Sequence, residues 1–139
     1  MTSTLLSVFV YGTLKPGGFY YKQYCEGRVV ASYEAIALGQ LYDLPLGYPA
    51  MTTGNDPVRG YVLEFNQPEV LQDLDELEGY DPQRSPDQNE YERVWVEVFD
   101  RDRHSLGFAW TYVMTTEQAL SLGGVLLPQG VWICNQPIV

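Results

Sequence analysis

The sequence predicts an α+β fold in which strands dominate. Two observations carry this. Short apolar runs rich in Val, Ile, Tyr and Phe recur along the chain, bounded by Gly, Pro and Asp. By contrast, only Pro68–Glu78 shows a strong helical period.

The elements follow in order. Leu5–Tyr11 is apolar and β-branched and reads as a buried strand. Gly12–Gly18 is a loop, and Phe19–Gly27 holds a short helix. Val29–Asp43 reads as one or two strands with a break near Gly39. Pro45, Gly47 and Pro49 mark an irregular stretch around Tyr48-Pro49-Ala50, and Val58–Phe65 is a strand. Pro68 suits the first turn of the Pro68–Glu78 helix, and Gly79 suits its end. Tyr80–Asn89 is a loop. Glu90–Asp100 and Leu106–Met114 form an antiparallel hairpin across a charged turn. Thr115–Leu122 is a short helix, and Val131–Cys134 a last short strand.

Composition removes several function classes. Eight Lys and Arg stand against eighteen Asp and Glu among 139 residues, a net charge of −10. Such a surface repels phosphate backbones and anionic headgroups, so neither nucleic acid nor membrane is an expected partner. No apolar run is long enough for a membrane span or a secretory leader. The cysteines, Cys25 and Cys134, make no C-x-x-C pair, and a reduced, cytoplasmic setting is expected. The only histidine, His104, sits in the charged turn, which argues against H-E-x-x-H zinc sites and Ser-His-Asp mechanisms. No metal is expected. Exposed aromatics fit a monomer or a homodimer.

Three segments could carry chemistry. On a wheel of about 100° per residue, Leu77, Val70, Leu74 and Leu71 share an arc of roughly 120°. Glu69, Gln72 and Glu76 point away from it, and Asp73 and Asp75 flank it. Glu78 alone among the acids falls inside the arc. It also stands at the negative end of the helix dipole, so burial and dipole would both raise its pKa. A general base working near neutral pH needs that shift. The other reading is that Glu78 swings outward as the helix frays at Gly79.

Tyr11-Gly12-Thr13-Leu14 is the second segment. Gly12 would let the backbone approach a ligand, and successive N–H groups after a strand could cradle an oxygen. An ordinary strand exit fits equally. The third is Glu90–Phe99, where Tyr91 and Arg93 share a face with Trp95 and Phe99. They could line a pocket or form a satisfied pair at the core edge. Cys25 reads as a small buried hydrophobe without a role.

Taken in order, several motifs resemble the γ-glutamylcyclotransferase-like family. They are Tyr11-Gly12-Thr13-Leu14, Gly47-Tyr48-Pro49-Ala50, Val58–Phe65, Leu74-Asp75-Glu76-Leu77-Glu78-Gly79-Tyr80, Tyr91-Glu92-Arg93-Val94 and Ala109–Val113. Together they span roughly residues 6 to 114. Lys15-Pro16-Gly17-Gly18 looks like the short bacterial and γ-glutamylamine branches. The resemblance implies one domain over residues 1–139, with a mixed sheet curled into a small barrel and short helices around it. It implies cyclisation of a γ-glutamyl group to 5-oxoproline, releasing a small amine or amino acid, without metal or cofactor.

By the same resemblance Glu78 is the general base that deprotonates the substrate's α-ammonium and returns a proton to the departing amine. The N–H groups of Gly12, Thr13 and Leu14 would bind a substrate oxygen, with Tyr11 beside them. Tyr91 would orient the substrate or Glu78. The charged insertion Asp81–Asn89 is a candidate wall of the site. Two alternatives remain on the same fold. One is a lyase or hydrolase acting on another amide. The other is a non-catalytic module that binds an amino-acid-like ligand. Both enzyme readings require Glu78 in a cavity, near Gly12–Leu14.

Overall fold

The computed structural model describes residues 5–133. It is a mixed α+β structure with a six-stranded sheet. Three short α-helices pack around the sheet. Strand β1 is Leu6–Val10, and the short helix α1 is Tyr21–Tyr24. Two long strands follow, β2 over Val29–Asp43 and β3 over Pro49–Phe65. Helix α2 spans Val70–Leu77. The hairpin strands are β4, Glu92–Phe99, and β5, Ser105–Val113. Helix α3 is Thr116–Ser121, and β6 is the two-residue Val125–Leu126.

The sheet curls on itself. β1 runs antiparallel to β3, β3 to β2, and β4 to β5. The ring closes through two single-residue pairs, Ile36 with Phe99 and Val8 with Trp110. The second is parallel, which makes the sheet mixed. β1 is buried on both faces, which is why its sequence is apolar without alternation. Val8 and Val10 join Leu63, Phe65, Val70 and Leu74 in one core cluster. Phe9 and Tyr11 join Val58, Val62, Met51 and Ala109 in the other.

Most elements fall where the sequence places them. The apolar stripe of α2 faces inward, with Val70 and Leu74 fully buried and Gln72 and Glu76 exposed. Thr115 caps α3 by accepting a hydrogen bond from the Gln118 N–H (3.1 Å). The expected break at Gly39 is a register shift inside one continuous strand. There the partner of β2 jumps from Asp56 to Thr52.

Two elements differ. β3 begins at Pro49, nine residues before the expected start at Val58. Pairing with Asp43, Tyr42 and Leu41 holds Pro49–Met51 in the ladder, and the register shift absorbs the turn-like Thr53-Gly54-Asn55. Long-range pairing thus overrides the local breakers. The last strand is Val125–Leu126, paired with Tyr42 and Asp43, and Val131–Ile133 form none. That segment is fixed by other bonds. The Gly130 carbonyl accepts from Arg59 N–H (2.8 Å), and Trp132 Nε1 donates to Asp43 Oδ1 (3.0 Å). Cys134 lies outside the described residues.

Candidate active site

Helix α2 delivers Glu78, and the way it ends fixes the side chain. Glu78 still donates its N–H to the Leu74 carbonyl (2.9 Å). Gly79 then turns to φ +67°, its N–H bonding Glu76 and the Tyr80 N–H bonding Asp75. These two bonds form a Schellman motif, which closes the helix instead of letting it fray. Glu78 therefore keeps its place on the apolar face and does not swing outward.

The helix is also clamped from below. Asp75 Oδ2 accepts from Arg93 (2.6 Å), and Asp75 Oδ1 accepts from the Tyr112 hydroxyl (2.7 Å). Arg93 lies over the rings of Tyr80 and Trp110. Arg93 is thus paired at the core edge, outside the cavity, with its Nε buried and without a hydrogen-bond partner.

A cavity of about 140 Å³ lies where β1 ends and α2 ends. Its lining includes Tyr11, Gly12, Thr13 and Leu14 on one side of the chain's path and Leu77, Glu78, Glu90 and Tyr91 on the other. Tyr20, Tyr48 and Tyr112 complete an aromatic wall. The sequence-predicted residues are thus brought together.

Their polar groups differ in availability. The Tyr11 hydroxyl donates to the Tyr112 carbonyl (2.6 Å) and accepts from Met51 N–H (3.2 Å). The Tyr91 hydroxyl donates to the Pro49 carbonyl (2.6 Å). Both protons are committed to the scaffold, leaving the rings as walls. Burial pushes the phenols of Tyr11, Tyr91 and Tyr112 well up, so all three stay neutral.

The N–H groups of Gly12, Thr13 and Leu14 donate to no described residue. They are the available donors of the site. The glycine also has a packing role. A Cβ on Gly12 would meet the Pro49 ring at 2.7 Å, so its missing side chain makes room for Pro49.

Glu78 is partly exposed as a residue, but its carboxylate is buried, and no donor among the described residues reaches it. Burial raises its pKa from 4.5 to about 8, with the negative charge of Glu90 adding to the rise.

Sequence reasoning missed Glu90 and Tyr48 as site residues. The Glu90 N–H donates to the Gly79 carbonyl (3.1 Å), and its carboxylate accepts a short hydrogen bond from the Tyr48 hydroxyl. The available signals were the place of Glu90 directly before Tyr91 and of Tyr48 within a motif. The insertion does not wall the cavity; none of residues 81–89 lines it. It closes on itself through Arg84 and Asn89. Arg84 donates to the Gly79 carbonyl and to Asn89 Oδ1 (both 2.9 Å). Its effect is to set where Glu90 re-enters.

The remaining candidates lie elsewhere. Cys25 is buried, its thiol pushed up to about 11 by that burial. His104 is exposed and close to Asp100 (3.4 Å). Asp100, Asp102 and His104 gather at this turn, where Asp100 Oδ1 accepts from the other two backbone N–H groups.

Fold and site together define a small α+β protein built around a tyrosine-walled cavity with one donor-free carboxylate. Comparison with known proteins gives that class its family. Residues 8–133 match the family model described as gamma-glutamyl cyclotransferase, AIG2-like. The gamma-L-glutamyl-butirosin B gamma-glutamyl cyclotransferase of Niallia circulans is 33% identical over 114 residues, covering 82% of this chain and 70% of that protein. Among solved structures, an AIG2-like protein of Mus musculus superimposes with a TM-score of 0.70 at 19% identity. It covers 96% of this chain and 91% of its own. A protein of Arabidopsis thaliana solved in solution gives 0.66 at 25% identity, covering 88% and 78%. The chain belongs to the gamma-glutamyl cyclotransferase, AIG2-like, family. No helix among the described residues is long and apolar enough to cross a membrane.

Proposed function

We propose that this protein cyclises the γ-glutamyl group of a small γ-glutamyl amine or amino acid to 5-oxoproline and releases the amine, with Glu78 as general acid and base. One observation carries the reading. Glu78, its pKa raised to about 8, shares a cavity with the unpaired N–H groups of Gly12, Thr13 and Leu14.

The chemistry needs that shift. The α-ammonium of a γ-glutamyl group is at least as basic as a chain terminus, with a pKa of about 8 or above, so an ordinary carboxylate near 4.3 would take its proton only at a cost of roughly 5 kcal/mol or more. A carboxylate at about 8 removes most of that cost. The freed amine then attacks its own γ-carbonyl carbon. Attack within one bound molecule makes holding the bent conformer the main task, which suits a small cavity with rigid aromatic walls.

The developing oxyanion, or the α-carboxylate, is stabilised by the amides of residues 12–14. As the tetrahedral adduct collapses, the C–N bond to the leaving amine breaks. The attacking nitrogen sheds two protons in becoming a lactam N–H. Both end on the departing amine, passed by way of Glu78. No electron acceptor is required at any step.

The test is product identification by mass spectrometry with a panel of γ-glutamyl compounds. 5-Oxoproline from at least one of them supports the reading. Free glutamate instead would identify a hydrolase. Binding without any product would identify a non-catalytic module.

A further inference from the structure

The cavity holds a second acid that the reaction above does not use. Glu90 Oε2 accepts from the Tyr48 hydroxyl, while Oε1 has no hydrogen-bond partner among the described residues. A carboxylate offers about four acceptor positions, so most of this one is unfilled. Its backbone is held to Gly79, directly after Glu78, by the bond between Glu90 N–H and the Gly79 carbonyl (3.1 Å). Two carboxylates thus face one small space.

No Lys, Arg or His lines that space among the described residues. Arg93 is occupied by Asp75 (2.6 Å), and the tyrosines of the wall are neutral. A γ-glutamyl group brings one ammonium and one carboxylate of its own. The ammonium is matched to Glu78 and the carboxylate to the amides of residues 12–14. Glu90 then has no partner within that group. An anionic leaving amine would be repelled by it, and a neutral one would leave it half-desolvated and unpaired.

We propose that Glu90, held by Tyr48, is a specificity-determining carboxylate that recognises a second cationic group on the leaving amine. The preferred substrates are γ-glutamyl derivatives of diamines and similar polycationic amines, over γ-glutamyl amino acids. This rests on the γ-glutamyl reading of the site. Tyr48 supplies the orientation, because its hydroxyl fixes one carboxylate oxygen and leaves the other free.

The test compares three probes of similar length: γ-glutamyl-putrescine, γ-glutamyl-butylamine and γ-glutamyl-aminobutyrate. They present a cation, no charge and an anion beyond the same amide. The wild-type kcat/KM should favour the putrescine amide over the butylamine amide by about tenfold, the worth of one charge-assisted contact. The aminobutyrate amide should rank last. Glu90→Gln should bring the three within about threefold, and Glu90→Asp should restore most of the ranking.

Binding of the same probes to Glu78→Gln and to the Glu78→Gln/Glu90→Gln double variant, by titration calorimetry, decides the matter without turnover. A putrescine preference present in the first and absent in the second supports the proposal. Equal affinity for all three, a ranking that survives loss of Glu90, or no binding at all overturns it. 5-Oxoproline formed from the three probes at equal rates would sink this proposal and leave the cyclotransferase reading standing. No product, with the binding preference intact, would do the reverse.

Discussion

The N–H of Glu90 bonds to the carbonyl of Gly79 (3.1 Å), so the strand β4 region returns to the end of helix α2 directly beside Glu78. Two carboxylates twelve positions apart in the chain, separated by the insertion, thereby become neighbours in one cavity. The negative charge of Glu90 is one cause of the raised Glu78 pKa, after burial. The pair links reactivity to the fold.

The first consequence is a pH profile. A general base must be ionised in the free enzyme, so kcat/KM should fall on the acid side with an apparent pKa near 8. Removing the charge in Glu90→Gln should move that limb to lower pH, because one raising influence is gone. A limb that stays in place would show that burial alone sets it. A limb near the ordinary carboxylate range would contradict the assignment of Glu78.

Stability should carry the same signature. The folded-state pKa of Glu78 lies above its unfolded value, so folding favours the protonated form. Its contribution is fully present below about pH 4.5 and is lost as pH rises through about 8. Glu78→Gln mimics the protonated state. The variant should melt with wild type in acid and on the order of 15 °C above it by pH 9, as read by Tm across pH at fixed ionic strength. A difference independent of pH would refute the linkage.

Gly79 tests the geometry of the helix end. Its φ is +67°, and an added Cβ would approach Glu90 Cβ to 3.1 Å. Gly79→Ala should cost about 1–2 kcal/mol in denaturant unfolding through the left-handed backbone. It should also lower kcat by displacing both carboxylates. Gly17 shares a positive φ but has open space around it, so Gly17→Ala should cost stability without touching turnover.

The clamp beneath the helix makes a further prediction. Asp75 and Arg93 are only 14% and 18% exposed, and Tyr112 completes the group. Arg93→Met would leave the largely buried Asp75 charge without its main partner. The expected loss is on the order of 3 kcal/mol. Asp75→Leu/Arg93→Met together should cost less than the two single changes added, since no uncompensated charge remains.

Helix α2 was readable because its apolar period and its terminal glycine are local signals. The wheel placed Glu78 on the buried face, and the structure keeps it there. Gly12–Leu14 were readable as a loop after a buried strand, but the packing role of Gly12 was not. Only the folded chain shows that Pro49 occupies its missing side chain. β3 starts before the expected Val58 because its ladder with β2 is a long-range property, which the irregular stretch marked by Pro45, Gly47 and Pro49 does not reveal. Glu90 and Tyr48 escaped for the same reason. Their hydrogen bond spans 42 positions in sequence, and neither residue stands out within its own segment.

In the proposed reaction Glu78 moves the proton that permits cyclisation. The most direct measurement is 5-oxoproline release by wild type and by Glu78→Gln from the best γ-glutamyl substrate, with binding of that substrate followed in parallel. The variant should bind with near wild-type affinity and lose turnover by a factor of about 10² to 10⁴. Undiminished 5-oxoproline release from Glu78→Gln would contradict that role.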